Sequence, residues 1–565
     1  MSLRTRADPD GRTLLDDDAR SVGLTLLAAA IAGLLVLPLV WLVVDAAGLG
    51  GGAVDLLLAP DTLRVLRTSV ALVAVVTTGS VLIGVPLAVL TAQADLPFSR
   101  FFTVVSALPL AIPSYLGAFA ALAASGPRGT LSEALAPVGI TVPAIDGFAG
   151  AALVLTLYTY PYVFLTTRAS LLSLDASLIA AARTLDCGRL EAFRRVTLPQ
   201  ILPGIAAGAL LVALYTLSDF GTPNFMGVEV FTQIIWARYT AFARGDATVF
   251  AIQLLAVTAV ILAVESRIGA DDAGAYASRG NRGARSLSLG AWRYPAALFP
   301  ASVAAVAILA PVVVFWLLWT EAGGGYGAVP QFSASFGVNS GYVALLAAVA
   351  AVLVALPIAV QSAVSDSRLA ALADRLSYVG YATPGIVIAI ALIGSSLEFV
   401  GQFTVITISR LEATVGLGGE TISLFVLPRT EISFGYKTLS LLVFAYVVRF
   451  VPQAVGSIRT STMQVDRRLT DAARTLGRSP LSAFRHVTLP LIAPGIATGA
   501  ALVFLTTMKE LPATLLLRPL GFDTLVTYIW RVQEAGAYGQ AAVPALVLVV
   551  VSGLSMAVIL KAENR

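Results

Sequence analysis

The sequence has little of the side-chain chemistry on which most soluble enzymes and metal sites depend. Its 565 residues include one cysteine and one histidine, and charged residues make up only 12%, against roughly 25% in an ordinary soluble domain. Cys187 alone cannot form a disulfide framework or a cysteine-built metal site, and His486 alone cannot form a histidine cluster. We therefore expect no catalytic residues and no metal site in this chain.

Apolar residues, in contrast, are abundant and gathered in long runs: they make up 57% of the chain. A helix needs about 20 apolar residues to cross the hydrocarbon core of a bilayer. Suitable runs lie at 22–44, 68–92, 101–124, 149–167, 200–218, 248–265, 296–319, 340–363, 377–397, 438–456, 494–515 and 541–561. A β-barrel would need short alternating strands instead. The sequence thus predicts an all-α membrane protein with about 12 transmembrane helices, of which the third and ninth contain internal prolines.

The positions of the basic residues predict the orientation of these helices. Lys and Arg are enriched in short cytoplasmic loops, and most of the 37 Lys and Arg residues fall on the inner side if the amino terminus is cytoplasmic. With an even number of spans, both termini then lie in the cytoplasm. The first apolar run is too long for the core of a cleaved signal peptide, so we expect the polar tail at 1–21 to be retained.

The order of features repeats on either side of a Gly/Ser/Arg-rich linker. Pro113 pairs with Pro384 at an offset of 271, but Pro161 pairs with Pro452 at an offset of 291, so the second half has twenty extra residues between Pro384 and Pro452, predicted in an outer loop. The domains are predicted as a cytoplasmic tail at 1–21, a first transmembrane domain at 22–265, a cytoplasmic linker at 266–293 and a second transmembrane domain at 294–565. Parallel repeats of this kind predict a pathway between the halves.

The similarity between the halves is greatest in a polar loop, "AAARTLDCGRLEAFRRVTLP" at 180–199 and "DAARTLGRSPLSAFRHVTLP" at 471–490. In the second copy, Asp466 can cap a short helix and Gly477 can end it. A second short helix is predicted to begin at Pro480 and to stop at Leu489-Pro490, before the next span. Both copies fall on the cytoplasmic face, and such a basic helix pair suits the docking of a partner.

Small residues after each copy predict close helix packing. Gly204 and Gly208 recur as Gly495 and Gly499, four residues apart in each half. This spacing places both glycines of a pair on one helix face, where a neighbouring helix can approach closely.

The spacing of Asp471-Ala472-Ala473, Gly477 and Leu489-Pro490 resembles the "EAA" loop of the inner-membrane permease subunits of ABC importers that work with a binding protein. Because the loop occurs twice, the chain resembles a fused permease with two transmembrane domains of the type I ABC importer fold. In that family the loop is a coupling helix that seats in the ATP-binding subunit. The resemblance implies coupling residues Ala180, Ala181, Ala182, Asp186, Leu198, Pro199, Asp471, Ala472, Ala473, Gly477, Leu489 and Pro490.

The two copies depart from the family pattern to different degrees. The second has Asp471 where Glu is usual. The first has Ala180 in place of the acid and Asp186 in place of the glycine. The first docking surface is therefore expected to differ, and the halves need not couple equally.

The partners follow from the resemblance and from a missing motif. A phosphate-binding loop needs G-x-x-x-x-G-K-[ST], and none of the three lysines, Lys437, Lys509 and Lys561, follows the required glycine. The resemblance implies that separate ABC ATP-binding subunits, in two copies, use the ATP and that an extracytoplasmic substrate-binding protein delivers the solute. We expect no cofactor on this chain, no nucleic-acid partner, and a location in the plasma membrane of a prokaryote, in contact with lipid.

The transported solute is indicated by the stretch "MKELPATLLLRPLGFDTLVTYIW" at 508–530, which resembles ferric-iron permeases with a Lys-Glu-Leu-Pro-Ala-Thr run. The first half, "SDFGTPNFMGVEVFTQIIW" at 218–236, fits less closely, with Asp219 aligned to Glu510. Fused permeases of this size also resemble thiamine and phosphonate importers, which remain alternatives. A gradient-driven secondary transporter is the alternative of a different class, but it would have no need for two docking loops.

Several polar residues have more than one interpretation. Asp219, Lys509 and Glu510 are candidates for the pathway, and the competing interpretation is a cap or ion pair at a helix end. Tyr158, Tyr160 and Tyr162 are interpreted as aromatics of the membrane interface. His486 aligns with Arg195 and is interpreted as a basic surface residue.

Overall fold

The structure is a computed structural model. It describes residues 14–127, 129–174, 188, 191, 193–269, 287–321, 332–365, 367–399, 404–408, 411–417, 420–427, 430–433 and 437–563.

The described part of the first half is helical. Its α-helices are α1 Leu14–Gly48, α2 Gly51–Leu58, α3 Pro60–Ala92, α4 Ser99–Ala107, α5 Ser114–Ala124, α6 Thr130–Leu135, α7 Gly147–Ser173, α8 Leu198–Ser218, α9 Gly221–Phe225, α10 Phe231–Thr240 and α11 Arg244–Gly269. Short 3-10 turns occupy Leu108–Ala111 and Ala136–Val138, and a π-helical turn occupies Phe193–Thr197.

The second half follows the same plan. Its α-helices are α12 Arg293–Ala304, α13 Ala310–Glu321, α14 Ala334–Val364, α15 Arg368–Ser377, α16 Val379–Ala382, α17 Gly385–Phe399, α18 Leu439–Met463, α19 Arg467–Thr475, α20 Pro480–Ala483, α21 Leu489–Met508, α22 Pro512–Leu517, α23 Leu525–Glu534 and α24 Ala542–Glu563. Gly290–Trp292 and Tyr538–Ala541 form 3-10 turns, and Ala305–Leu309 and Phe484–Thr488 form π-helical turns.

The predicted helical membrane class is confirmed, but not every predicted span is one straight helix. Within the described ranges, nine helices are long and apolar enough to cross a membrane, or eleven if two bent pairs count as one span each. The bent pairs are the third and ninth predicted spans, with bends of 90° and 106°. The eleventh run, 494–515, is also divided, because α21 ends at Met508 and α22 begins at Pro512.

Both bends occur at the repeated prolines Pro113 and Pro384. The preceding residues, Ile112 and Thr383, have extended ψ angles of 130° and 126°. Proline disfavours the α conformation in the residue before it and has no N–H to donate to a helix. The same residue type stands at both breaks, but proline alone does not break a span, since Pro161 and Pro452 lie inside unbroken helices.

The described β-strands lie in the part of the second half where the repeat offset changes. β1 Thr404–Ile408 pairs antiparallel with β4 Thr430–Ser433, and β2 Leu411–Leu417 pairs antiparallel with β3 Glu420–Leu427. All four strands lie between Pro384 and Pro452, where the repeat offset changes from 271 to 291. The strands therefore lie in the segment where the insertion was predicted.

The chain forms two compact units that are interleaved in sequence. Unit 1 comprises Met1–Val44, Asn339–Phe522 and Val558–Arg565, and unit 2 comprises Asp45–Val338 and Asp523–Ala557. The first long helix of each half therefore belongs to the unit built mainly by the other half. In unit 1, the Gln361 amide donates to the Thr25 hydroxyl at 2.6 Å. In unit 2, the ring of Phe315, on α13, lies 6.1 Å from that of Phe119.

The repeated glycine pairs lie at close helix contacts, as their spacing predicts. A side chain at Gly208 of α8 would collide with the backbone of Val163 on α7. In the second half, a side chain at Gly499 of α21 would meet Ala454 on α18 in the same way. Each unit thus holds one proline-containing helix tightly against the helix that leads into its polar loop.

Candidate functional site

The second polar loop has the helix ends that its capping residues predict. The Asp466 carboxylate accepts the N–H of Arg468 at 3.0 Å at the start of α19. Gly477 has a left-handed φ of 82°, and the N–H of Arg478 donates to the carbonyl of Ala473 at 3.1 Å. Glycine is the residue that most readily adopts this helix-ending conformation.

The next short helix does not stop at Leu489-Pro490, so that part of the prediction is wrong. α20 begins at Pro480, and the Ser479 hydroxyl accepts the N–H of Ser482 at 3.3 Å. The chain then passes through the π-helical turn Phe484–Thr488 directly into α21. Proline has no N–H to donate to a helix. Pro490 follows a π turn, in which the hydrogen bonds span five residues and not four. The loop is therefore continuous with a membrane-spanning helix.

The same π turn occurs in the first half. Phe193–Thr197 is π-helical and leads into α8 at Leu198-Pro199, which matches Leu489-Pro490 at the offset of 291. π turns are frequent at functional sites. The remaining first-copy candidates, Ala180, Ala181, Ala182 and Asp186, lie outside the described residues.

In the second loop, two alanine side chains are buried and three leucine side chains are exposed. Ala473 is 8% exposed and Ala483 is fully buried. Leu476 is 84% exposed, Leu481 76% and Leu469 49%, and we call these three residues the loop leucines. Asp471 and Ala472 are exposed as well. Apolar side chains that project together from a polar surface commonly mark an interaction site.

Glu510, the acidic pathway candidate of the second half, lies in the break between α21 and α22. Oε1 of Glu510 accepts a hydrogen bond from Nη1 of Arg449 at 3.0 Å and from the N–H of Ala513 at 3.3 Å. The side chain of Glu510 is 7% exposed and that of Arg449 is 16% exposed. A buried carboxylate of this kind needs the opposite charge and hydrogen bonds that it receives here. Lys509, the preceding residue, is the C-cap of α21.

The ion pair lies against the bend of the ninth predicted span. A side chain at Gly385, the first residue after Pro384, would collide with Nη1 of Arg449 and Oε1 of Glu510. The sequence patterns considered above did not single out Arg449. Arg449 could have been recognised from its position in the middle of the predicted span at 438–456, since an arginine within a membrane helix usually has a specific partner.

Gly385→Ala is expected to displace this ion pair and to lower the free energy of unfolding by about 1–3 kcal/mol, the usual cost of overpacking. The colliding atoms are the ends of flexible side chains, so we expect a shift of the pair and an intact backbone. Thermal unfolding of the purified full chain in detergent measures the effect. Gly341→Ala is the control, because a side chain at Gly341 of α14 would meet no atom within 4 Å. Equal stability of the two variants would contradict the prediction.

The first-half acid, Asp219, is held by oxygen and nitrogen donors at the end of α8. Its Oδ1 accepts the N–H of Thr222 at 2.8 Å, which caps α9. Its Oδ2 accepts the hydroxyl hydrogen of Ser114. The Tyr215 hydroxyl in turn donates to Oγ of Ser114 at 3.0 Å.

Both halves therefore place an acid beside the residue that follows a bend proline. In unit 2 that residue is Ser114, and it bonds to Asp219. In unit 1 it is Gly385, which makes room for Glu510. The helix-end contacts considered from the sequence are present for both acids, and their role in a pathway stays a prediction.

Two of the three tyrosines lie inside unit 2. Tyr158 is 3% exposed and Tyr160 is fully buried, so their interpretation as interface aromatics is wrong. Both belong to α7, which packs against α3 and α8. Which helix of a bundle is central depends on contacts distant in sequence, and the local pattern does not contain them. Tyr162 is partly exposed, and its ring lies 6.1 Å from that of Tyr215.

His486 lies on the exposed surface of the second loop. Its Nδ1 is 2.8 Å from the carbonyl oxygen of Ser482, one turn earlier. Across the described segments, no group of three or more His, Cys, Asp or Glu residues is arranged to hold a metal ion. This geometry fits the interpretation of His486 as a surface residue.

The sequence matches one family model twice. The family is described as the inner membrane component of binding-protein-dependent transport systems, and the matches cover residues 80–268 and 351–563. The two matches fall in the two halves recognised from the internal repeat.

Curated relatives cover the chain to different extents. The chain is 28% identical over 538 residues to the Fe(3+)-transport system permease protein FbpB 2 of Haemophilus influenzae, covering 94% of this chain and 96% of the relative. It is 25% identical to the ferric transport system permease protein FbpB of Actinobacillus pleuropneumoniae, covering 73% of this chain and 58% of the relative. It is 33% identical to the molybdenum transport system permease protein ModB of Escherichia coli K12, covering only 24% of this chain and 60% of the relative.

Proposed function

The chain belongs to the family of inner membrane components of binding-protein-dependent transport systems, and on this premise we propose that it forms the translocation pathway of an ATP-driven ferric-iron importer. It is a multi-pass membrane protein and an ABC importer permease, a transport component and not an enzyme. The proposal adds the solute, the coupling residues, the pathway residues and the orientation in the membrane.

The choice of solute rests on the match, over nearly the whole chain, to a relative named for Fe(3+) transport. The molybdenum relative matches about a quarter of the chain. The run from Lys509 to Thr514 supports the same choice.

The proposed coupling element is the polar loop in each half, with both termini in the cytoplasm. The loop leucines are exposed, and α19 and α20 precede a π turn that continues into α21. An ATP-binding subunit that holds the loop would therefore move a membrane-spanning helix without an intervening flexible joint. Two such subunits, one for each loop, would supply the energy, and a binding protein on the opposite face would supply the solute.

The proposed pathway includes Asp219, Lys509 and Glu510. Each acid lies where two membrane-embedded breaks meet, a bend after proline and the break that follows α8 or α21. Irregular backbone at membrane depth is tolerated where it is buried in protein or lines a wet cavity. In this proposal the breaks line the pathway, and the acids are its charged positions.

Uptake into proteoliposomes tests the proposal. The purified chain, its ATP-binding subunit and its binding protein are reconstituted together, and radioactive iron uptake is measured with and without ATP. We expect ATP-dependent iron uptake that unlabelled thiamine, 2-aminoethylphosphonate and molybdate do not compete away. Uptake of one of these solutes in place of iron would overturn the solute assignment. Uptake that needs no ATP and disappears with an ionophore would instead indicate a gradient-driven transporter.

A further inference from the structure

The two acid sites of the repeat differ in the chemistry that surrounds them. We infer that Ser114, Tyr158, Tyr215 and Asp219, here called the oxygen cluster, form a transient binding site for a hard, oxygen-seeking cation in unit 2. The inference rests on the proposed function and names which of the two acids takes the ion. The other acid, Glu510, is assigned a structural role through its ion pair with Arg449.

Three residues of the oxygen cluster come from the end of α8 and the start of α5. Asp219 follows α8, Tyr215 lies one turn earlier on α8, and Ser114 begins α5 directly after the bend proline. The hydroxyl of Tyr215 is 3.0 Å from Oγ of Ser114, which also donates to Oδ2 of Asp219. A carboxylate and two hydroxyls are therefore in direct contact.

Tyr158 supplies the second, independent observation. Its side chain is 3% exposed, and within the described chain its hydroxyl has no hydrogen-bond partner. Such an orphaned buried hydroxyl is unfavourable and calls for an explanation. The end of its ring lies against Gly117, one turn after Ser114 on the same face of α5.

The internal repeat shows which residues differ between the site of Asp219 and the site of Glu510. At the offset of 291, Arg449 corresponds to Tyr158 and Lys509 corresponds to Ser218. The acid is present in both halves, but both basic residues of the second half are hydroxyl residues in the first. In unit 1, the guanidinium of Arg449 neutralises Glu510 at 3.0 Å and would repel a metal cation. In unit 2, the corresponding position offers an oxygen.

The donor set selects the class of ion. Carboxylate and hydroxyl oxygens suit hard cations and not soft ones. Coordination of Fe³⁺ by a tyrosine releases the phenolic proton, and reprotonation accompanies release of the ion, so no oxidant or reductant takes part. Four protein oxygens are fewer than an octahedral cation takes, and water would fill the remaining positions. An incomplete ligand set of this kind suits a waypoint that must also let the ion leave.

Spectroscopy of the full chain in lipid nanodiscs tests the inference. Fe³⁺ is added as the citrate complex, and the visible charge-transfer band of phenolate bound to Fe³⁺ is recorded. We expect the band in the wild-type chain and at least a tenfold loss of Fe³⁺ affinity in Tyr158→Phe and Asp219→Asn. Asparagine can still accept the N–H of Thr222, so the cap of α9 is retained in the second variant.

Tyr160→Phe is the matched control. Tyr160 is as deeply buried as Tyr158, and its hydroxyl also has no hydrogen-bond partner in the described chain, but it lies two residues further along α7 and faces away from Tyr158. We expect its substitution to leave the band and the affinity unchanged. Absence of the band in the wild-type chain, or equal binding by all variants, would overturn the inference. The proposed function would still stand if the wild-type complex imports iron, because uptake is measured separately.

Discussion

Replacing Arg449 with alanine is expected to lower the free energy of unfolding by about 3–5 kcal/mol, the usual cost of removing one partner of a buried ion pair. The carboxyl group of Glu510 would be left at 7% exposure without the guanidinium that pairs with it. The remaining N–H of Ala513 cannot replace a positive charge. The loss is measured as thermal unfolding of the purified chain, together with the yield of folded protein from membranes.

A second substitution should reverse most of this loss. In the double variant Arg449→Met with Glu510→Gln, the neutral amide can still accept the N–H of Ala513, and no uncompensated charge remains. The control is Arg238→Ala, which removes an ion pair of 3.5 Å to Asp246 whose side chains are both 41% exposed. Exposed pairs contribute at most about 1 kcal/mol. If Arg449→Ala and Arg238→Ala unfold alike, the ion pair at Glu510 does not stabilise unit 1 as we infer.

The features that the sequence predicted well are those that neighbouring residues determine. Asp466 caps the start of α19 and Gly477 terminates it, each through contacts within about one turn. The change of repeat offset located the segment in which the β-strands lie, since an insertion alters the numbering whatever its structure.

The features that the sequence did not predict depend on residues that are far apart in the chain. Arg449 and Glu510 are 61 positions apart, and the absence of a side chain at Gly385 leaves room for their contact. The exchange of the first helices between units requires contacts such as Thr25 with Gln361, 336 positions apart. The burial of Tyr158 follows from the central place of α7 in unit 2. Apolar runs indicate that a helix crosses the membrane, but they do not indicate which helices it contacts.

The loop leucines carry the second large expected effect. Leu476→Glu combined with Leu481→Glu should abolish measurable ATP-driven uptake, because both side chains would place a charge in an apolar contact with the ATP-binding subunit. Loss of an interface hot spot costs about 2 kcal/mol or more, which is roughly a thirtyfold loss of affinity for each position. The measurement is the amount of ATP-binding subunit that co-purifies with the tagged chain, followed by uptake in proteoliposomes.

The folded structure should tolerate these two changes, because Leu476 and Leu481 are 84% and 76% exposed and contribute little to the core. Leu520→Glu is the matched control, since Leu520 is 86% exposed in the turn between α22 and α23, outside the polar loop. We expect this control to bind the ATP-binding subunit and to support uptake normally. Normal binding and uptake by the double loop variant would exclude the loop leucines as the docking surface. Normal binding without uptake would instead place their role in transmitting movement to α21, through the π turn at Phe484–Thr488.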